Sequence, residues 1–217
     1  MPHQLTIFLT KEYRLYCLAN GKLIQLTNEP NIMPEKPKIL KKSIIASSRL
    51  FRIESLDIEF SNGQQRNYER LARGNSGGGA VLIVPLLNED TVLLIREYSA
   101  GVHRYELGLP KGKTDQGESF LDAANRELKE EVGYGARHLH HLSSYSIAPS
   151  FLEYTTEIVV AQDLYANKLP GDEPEELEVV PWKLADINGL LATGECTEAR
   201  SIAALFMTLA YIRRPNQ

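Results

Sequence analysis

Three glutamates stand close together near the middle of the chain. Glu127, Glu130 and Glu131 occupy positions i, i+3 and i+4, which lie on one face of a helix. Each like-charge pair at this spacing costs about 0.2–0.5 kcal/mol, and Lys129 is the only basic residue between them. A solvated acidic face is the ordinary interpretation of such a cluster. Hard divalent cations reverse the sign of the interaction by taking clustered carboxylate oxygens as ligands, so the local chemistry favours a metal site.

The segment that must position these glutamates has the markers of a helix with a defined start and end. Ser119 can cap its N-terminus, with Asp122 as a short-armed form of the capping-box acid. Gly133 is placed to end it in the left-handed conformation. Arg126 and Glu118, across the loop–helix junction, are expected to form an ion pair that fixes the loop onto the helix. The apolar stripe of this helix consists of Phe120, Leu121, Ala124, Leu128 and Val132.

The whole stretch from residue 112 to residue 134 follows a fixed pattern. It is written G-x5-E-x7-R-E-U-x-E-E-x-G-U, where U is a bulky apolar residue, here Leu128 and Tyr134. Seven fixed identities at roughly 7% each arise by chance about once in 10⁸ starting positions. The stretch resembles the signature box of the Nudix hydrolases at every fixed position. Tyr134 is the loosest match, since Ile, Leu or Val is usual there.

The resemblance implies hydrolysis of a nucleoside diphosphate linked to another moiety, with Mg²⁺, or alternatively Mn²⁺, as cofactor. Carboxylate-bound metal ions suit this reaction because they offset the charge of the pyrophosphate and lower the pKa of bound water. By matched position, the resemblance implies Glu127, Glu130 and Glu131 as metal ligands, with Glu130 also catalytic, and the backbone carbonyl of Lys111 as a further ligand. Structural roles within the box are implied for Gly112, Glu118, Arg126 and Gly133.

Segments outside the box resemble one branch of this family. The lead-in RYELGLPKG and Pro149, about fifteen residues after the box, are similar to the ADP-ribose pyrophosphatase branch. The segments SRLFRIESLDIEFSNG, LIREYSAG, IVVAQDLY and GDEPE are similar to the NudE type within it. The resemblance implies ADP-ribose, NADH and diadenosine polyphosphates as substrates, with AMP as a product. The loop 108–111, Gly-Leu-Pro-Lys, departs from the Pro-Ala-Gly form of many ADP-ribose enzymes, which leaves the order of preference open.

The general base is expected on the acidic loop GDEPEELE, downstream of the box. Glu173, Glu175 and Glu176 compete for this role, and Glu173 is the preferred candidate. A base must come within hydrogen-bonding reach of the attacking water, which spacing alone does not decide. The alternative is a solvated acidic loop.

Four residues outside the box are candidates for substrate binding. Arg96 could pair with phosphates as a planar donor, although a strand-end arginine is often only a surface charge. Tyr98, Glu106 and Pro149 are the other candidates. The histidines at positions 103, 138, 140 and 141 are expected in loops or on the surface.

Strands mixed with two substantial helices predict an α+β or α/β/α domain with a smaller strand-rich N-terminal piece. The resemblance implies the Nudix form of an α+β fold, an α/β/α sandwich with a mixed sheet and a small N-terminal antiparallel sub-domain. Residues 1–37 are expected to be an extension, dispensable or from a misassigned start, in which Asn20-Gly21 could turn a small hairpin. Residues 38–75 form the strand sub-domain, with a hairpin at Asn62-Gly63. Residues 76–217 form the Nudix domain, which a flexible GNSGGG connector precedes. Its last helix is predicted at about residues 197–212.

Composition and charge narrow the class of protein. The chain has 217 residues, 43% of them hydrophobic, with a formal net charge of −4. This charge gives no support for a nucleic-acid-binding surface. No apolar run is long enough to span a bilayer. Cys17 and Cys196 sit in no paired motif, so they are expected to be idle thiols of a soluble, cytoplasmic protein.

Two further expectations concern assembly and alternative function. The family branch implies a homodimer in which residues 39–73 pack across onto the partner. A module that binds ADP-ribose or another nucleotide without hydrolysing it would keep the same fold, but such a sensor has no need of all three box glutamates. Hydrolysis of nucleoside triphosphates or RNA caps is a weaker third alternative.

Overall fold

The computed structural model describes residues 35–72 and 79–213, together with the backbone of three short strands nearer the N-terminus. These are β1 (Thr6–Leu9), β2 (Leu15–Ala19) and β3 (Lys22–Gln25), which form an antiparallel sheet in that order. Ala19 pairs with Lys22, as the predicted hairpin requires, although the turn residues themselves lie outside the described part. Strand β1 was not expected from the sequence.

A second antiparallel sheet follows, made of β4 (Lys38–Ser47), β5 (Arg52–Glu59) and β6 (Gln65–Leu71) in that order. The predicted hairpin at Asn62-Gly63 is confirmed. Gly63 takes a φ of 77°, and the Asn62 side chain accepts a hydrogen bond from the backbone N–H of Gln64 at 3.1 Å. These local choices explain the turn, since glycine adopts positive φ without steric cost. We refer to β4–β6 as the N-terminal sheet.

The central sheet has seven strands, and it is mixed, as predicted. They are β7 (Ala80–Asn88), β8 (Thr91–Ser99), β9 (Arg104–Gly108), β10 (Lys111–Lys113), β11 (Tyr134–Ser146), β12 (Thr155–Ala166) and β13 (Glu178–Lys183). The order is β11-β12-β7-β8-β13, with β10 beside β7 and β9 beside β8. Only the pair β12–β7 is parallel.

The β7–β8 hairpin opens away from its turn, and this opening makes room for the site. The two strands pair only at Leu86–Val92 and Asn88–Thr91. Farther on, β10 pairs with β7 and β9 pairs with β8, so each hairpin arm has a different neighbour. The chain between β9 and β10 therefore bridges the gap and leads directly into the box.

Helices cover both faces of the central sheet. Helix α1 (Phe120–Glu127) continues as a π-helical turn (Leu128–Val132) on one face, and α2 (Ile187–Ala192) and α3 (Ala199–Ile212) lie on the other. Side chains of a strand point alternately to the two faces. In β7, Val81 and Ile83 accordingly join the core under α1, while Leu82 and Val84 join the core under α2 and α3. The predicted α/β/α arrangement is confirmed.

The N-terminal sheet is attached to the central domain through the loop between β11 and β12. Leu71 donates a backbone hydrogen bond to Phe151 at 2.8 Å and accepts one from Glu153 at 2.9 Å. The predicted domain boundary and the GNSGGG connector fall on or beside residues 73–78, which lie outside the described part. Among the described helices, none is both long enough and apolar enough to cross a membrane.

Candidate active site

The helix that carries the box begins and ends where its capping residues predict. Ser119 has extended backbone angles, and its hydroxyl oxygen accepts a hydrogen bond from the backbone N–H of Asp122 at 3.1 Å. The Asp122 carboxylate binds the same hydroxyl at 2.7 Å. At the other end, Gly133 takes a φ of 82° and ends the helix in the left-handed conformation.

The last turn of this helix is wider than the sequence predicted. The α-helix ends at Glu127, and residues Leu128–Val132 form a π-helical turn that the backbone N–H of Gly133 closes by bonding to the carbonyl of Leu128. Single π-helical turns are rare and are found most often at functional sites. This one contains Glu130 and Glu131, so the departure from regular geometry falls on two of the three predicted metal ligands.

Arg126 holds the acidic residues of the box together. Its guanidinium makes a two-pronged ion pair with Glu118, with Nε–Oε1 and Nη2–Oε2 distances of 3.0 and 3.1 Å. The predicted ion pair is therefore present, and it lowers the pKa of Glu118. Nη1 also lies 2.8 Å from Glu127 and 2.9 Å from Glu130, and Nη2 donates to the backbone carbonyl of Lys113. One cation thus serves three carboxylates and fixes the loop onto the helix.

Glu131 is the most strongly perturbed acid of the site. Its side chain is buried, and one carboxylate oxygen accepts a hydrogen bond from the backbone N–H of Lys111 at 2.9 Å. Burial raises the pKa of Glu131 to about 8, and the hydrogen bond from Lys111 offsets only part of that rise. Burial also raises the pKa of Glu127, although Arg126 acts against the shift. The side-chain ammonium of Lys111 is paired with Glu97 instead.

The box glycine is required by the position of Glu127. A Cβ atom at Gly112 would lie 1.9 Å from the Glu127 carboxyl carbon and about as close to both carboxylate oxygens. Any side chain there would displace Glu127. Gly112 stands in β10, next to Lys111, so the strand and the helix meet at the carboxylates.

The acidic loop 167–177, between β12 and β13, faces the box. Glu173 lines a cavity of about 360 Å³ that Glu130 and Glu131 also line. Its carboxylate makes no hydrogen bond or ion pair to another residue within the described ranges, and its charge contributes to the raised pKa of Glu127. Glu173 is therefore near the predicted ligands and unengaged, as a base must be.

The two competing glutamates of this loop are engaged. Glu175 accepts a hydrogen bond from the Tyr105 hydroxyl at 2.7 Å, and Glu176 forms an ion pair with Lys168. Sequence reasoning did not single out Tyr105 or Lys168. Tyr105 lies in the quoted lead-in RYELGLPKG, but nothing local connects it to a residue seventy positions away.

None of the four residues predicted to bind substrate lines this cavity: Arg96, Tyr98, Glu106 and Pro149. Arg96 is paired with Glu178 at 2.7 Å and with Glu195 at 3.2 Å. The Tyr98 hydroxyl lies 2.6 Å from His103 Nδ1.

Glu106 and Pro149, the other two candidates for substrate binding, contact parts of the protein outside this cavity. Buried Glu106 accepts hydrogen bonds from the backbone and the hydroxyl of Thr197, at 2.9 and 2.8 Å, which tie β9 to the segment before α3. Burial would raise the pKa of Glu106, but these bonds and Arg104 lower it. Pro149 lines a separate cavity of about 260 Å³ against the N-terminal sheet. The predicted histidines are exposed, and three of them lie on strand β11.

The carboxylates of Glu127, Glu130 and Glu131 are ligands of the kind that hard divalent cations prefer. In this structure, however, Glu127 and Glu130 bind the guanidinium of Arg126 instead. Within residues 35–72 and 79–213, no three Asp, Glu, His or Cys side chains already surround one point as metal ligands do. Among the described residues, no cationic side chain contacts buried Glu131 directly, and a buried carboxylate without a counter-charge is costly.

Comparisons with known proteins agree with this geometry. The model of the NUDIX domain matches residues 78–205, and the model of the NudE-type Nudix hydrolase N-terminal domain matches residues 37–70.

Individual relatives resemble the chain over most of its length. It is 50% identical over 179 residues to the ADP compounds hydrolase NudE of Escherichia coli, covering 82% of this chain and 95% of that protein. It is 26% identical over 170 residues to an ADP-ribose pyrophosphatase of Bacillus subtilis, covering 77% and 90%. A crystal structure of an ADP compounds hydrolase superposes with a TM-score of 0.76 at 49% identity, covering 83% of this chain and 96% of that one. With the box, the fold and these matches together, the chain belongs to the Nudix hydrolases.

Proposed function

We propose that this Nudix hydrolase cleaves the pyrophosphate of ADP-linked compounds, releasing AMP and the other phosphorylated moiety. ADP-ribose, NADH and diadenosine polyphosphates are the substrates we expect. The proposal is supported by the 50% identity to an ADP compounds hydrolase and by the box lead-in and acidic loop described above. The observation that carries it is the excess of carboxylates around Arg126, beside a cavity large enough for phosphate groups.

We propose that Glu127, Glu130, Glu131 and the backbone carbonyl of Lys111 hold Mg²⁺, or Mn²⁺ in its place. When bound, such an ion offsets the charge of the pyrophosphate and lowers the pKa of a bound water. The chain supplies the positioning. Gly112 leaves room for Glu127, the backbone N–H of Lys111 orients Glu131, and Arg126 keeps the loop on the helix when its other carboxylates turn away.

Glu173 is the group we assign as general base. Its carboxylate would accept a proton from the attacking water, whose oxygen forms the new bond to one phosphorus as the bridging P–O bond breaks. The departing phosphate then takes up a proton from solvent. Glu175 and Glu176 are poor candidates because Tyr105 and Lys168 already bind their carboxylates.

A panel of substrates tests the proposal. Purified protein is incubated with ADP-ribose, NADH, diadenosine triphosphate and a nucleoside triphosphate, with and without Mg²⁺ or Mn²⁺, and the products are separated by chromatography. We expect metal-dependent AMP from the ADP-linked compounds. Tight binding of ADP-ribose without turnover of any compound would instead identify a nucleotide sensor, and turnover of the triphosphate alone would identify a different specificity.

We also propose that the protein is a homodimer in which a second copy covers β4. Among the described strands, this edge strand pairs with β5 alone, and both of its faces are exposed. The strand and the loop after it expose large apolar side chains, each more than half accessible: Ile39, Leu40, Ile44, Ile45, Leu50 and Phe51. Exposed apolar patches on edge strands mark association surfaces.

Light scattering tests the dimer. It should give twice the monomer mass for the natural chain and the monomer mass for Ile44→Glu, and a monomeric natural chain would refute the dimer.

A further inference from the structure

The acidic loop 167–177 is held differently along its two halves. Its first half is fixed by backbone hydrogen bonds to the end of the box helix: Asn167 donates to the carbonyl of Gly133 at 3.0 Å, and Leu169 donates to that of Lys129 at 3.1 Å. This half therefore moves with the helix that carries Glu130 and Glu131.

The tip of the loop, residues 172–176, is held by side chains. The ion pair between Lys168 and Glu176 closes the loop on itself and does not reach another element. Glu175 reaches across to β9, where the hydroxyl of Tyr105 donates to its carboxylate at 2.7 Å. The tip is therefore joined to β9 by a hydrogen bond between residues seventy positions apart in the chain.

The position of the Tyr105 ring is fixed by its strand and by a neighbouring ring. It lies in β9, and its ring meets the ring of Tyr98 edge-on at a centroid distance of 5.8 Å. Tyr98 is in turn bound to His103. The hydrogen bond with Glu175 raises the pKa of the Tyr105 phenol, so the phenol keeps its proton and stays a donor at neutral pH.

The position of Glu173 depends on this tip. Glu173 lies two residues before Glu175, and its carboxylate turns back over Gly171, where a Cβ atom would lie 2.7 Å from Glu173 Oε2. The carbonyl of Glu130 would be 3.7 Å from that same Cβ position. Movement of the tip would therefore shift the Glu173 carboxylate relative to the box.

We propose that the Tyr105–Glu175 hydrogen bond is a clasp that holds the acidic loop over the cavity and sets the position of Glu173. We assign Tyr105 and Glu175 as positioning residues that act through the loop, although Glu175 itself also lines the cavity. The expected effect on kcat rests on the proposed function, in which Glu173 is the general base. The clasp itself is a property of the protein without substrate.

Two measurements on the full-length protein test the clasp. Hydrogen–deuterium exchange follows the loop 167–177 without substrate, and steady-state kinetics with ADP-ribose separates kcat from KM. The variants are Tyr105→Phe, Glu175→Ala, the double variant, and Glu175→Gln, whose amide oxygen can still accept the hydrogen bond. Tyr68→Phe, a half-exposed tyrosine of the N-terminal sheet, is the matched control.

We expect faster exchange in the loop and a roughly tenfold fall in kcat with little change in KM for Tyr105→Phe, because a charge-assisted hydrogen bond is lost. Glu175→Ala should match it, the double variant should lose no more, and Glu175→Gln should recover most of the activity. Tyr68→Phe should behave as the natural protein.

Unchanged loop exchange in Tyr105→Phe would overturn the proposal. Losses that multiply in the double variant would also overturn it, because they would show that the two side chains act separately. If the natural protein does not hydrolyse ADP-ribose, the proposed function fails, and loop exchange alone then decides whether the clasp exists.

Discussion

The ion pairs around Glu54 in the N-terminal sheet and those around Arg126 in the box differ in the balance of charge. In the N-terminal sheet, buried Glu54 binds Arg70 at 2.9 Å and Lys42 at 3.2 Å. Arg70 also binds Glu153 at 3.0 Å. Burial would raise the pKa of Glu54, but its two cations outweigh burial and lower it.

The box cluster has far fewer cations for its acids. Arg126 binds Glu118, Glu127 and Glu130, and the ammonium of Lys111 is paired with Glu97. In the part of the chain that the structure describes, no cationic side chain contacts Glu131 directly. The pKa of Glu131 rises to about 8, whereas that of Glu54 falls. The Glu54 cluster thus carries its own counter-charge, whereas the carboxylates of the box outnumber their cations, which is why we propose the box as the metal site.

The largest effect is expected from Glu131→Gln. Glutamine keeps the size of the side chain and can still accept the hydrogen bond from Lys111, but it removes a proposed metal ligand. Turnover of ADP-ribose should fall by about 10²-fold or more, with an unchanged melting temperature. Measurements of kcat/KM and thermal unfolding check this prediction, and full activity would refute the assignment of Glu131.

Gly112→Ala should have the next largest effect. The added methyl group would collide with the Glu127 carboxylate, so Glu127 must leave its position. We expect a loss of roughly tenfold to a hundredfold in kcat/KM, because small displacements of catalytic groups are costly. Gly101→Ala is the matched control, since a Cβ there meets nothing within 4 Å. Equal activity of the two variants would contradict the close approach.

A smaller effect, on stability alone, is expected from Glu54→Gln. Charged hydrogen bonds to Arg70 and Lys42 are lost, which should lower the free energy of unfolding by about 1–3 kcal/mol at neutral pH. The pKa of Glu54 is lowered in the folded state from its ordinary value of 4.5. The stabilisation is therefore present above that value and is lost as pH falls through the lower, folded-state pKa.

Urea unfolding at neutral pH and at about pH 3 checks the pH dependence. The gap between Glu54→Gln and the natural protein should narrow at the lower pH. If this difference in free energy of unfolding stays constant or widens, Arg70 and Lys42 do not balance the charge of Glu54. The contrast between Glu54 and the box would then be refuted.

The parts of the site that depend on neighbours in the chain were predictable from sequence. The Ser119 cap, the left-handed Gly133 and the pairing of Glu118 with Arg126 all follow from spacing along one helix and the loop before it. The strands and helices themselves were also predictable in type, since hydrophobic periodicity is local, whereas the mixed sheet was expected from the resemblance to the family.

Contacts between distant segments were not predictable. The choice among Glu173, Glu175 and Glu176 depends on Tyr105 and on the fold of the loop, which no local pattern encodes. Arg96 was a candidate for phosphate binding or a surface charge, and no local pattern indicated that Glu178 of β13 would lie beside it. The π-helical turn also escaped prediction, because one extra residue in a turn leaves the capping residues and the apolar stripe almost unchanged.

The central claim is that the box carboxylates, which outnumber their cations, form the metal site. Titrating Mn²⁺ into the substrate-free protein and measuring the bound ion by electron paramagnetic resonance tests it most directly. The natural protein, Glu131→Gln and Glu54→Gln are compared at neutral pH. The account predicts saturable binding to the natural protein and to Glu54→Gln with similar affinity, and affinity at least about tenfold weaker for Glu131→Gln. Equal binding by all three proteins would contradict it.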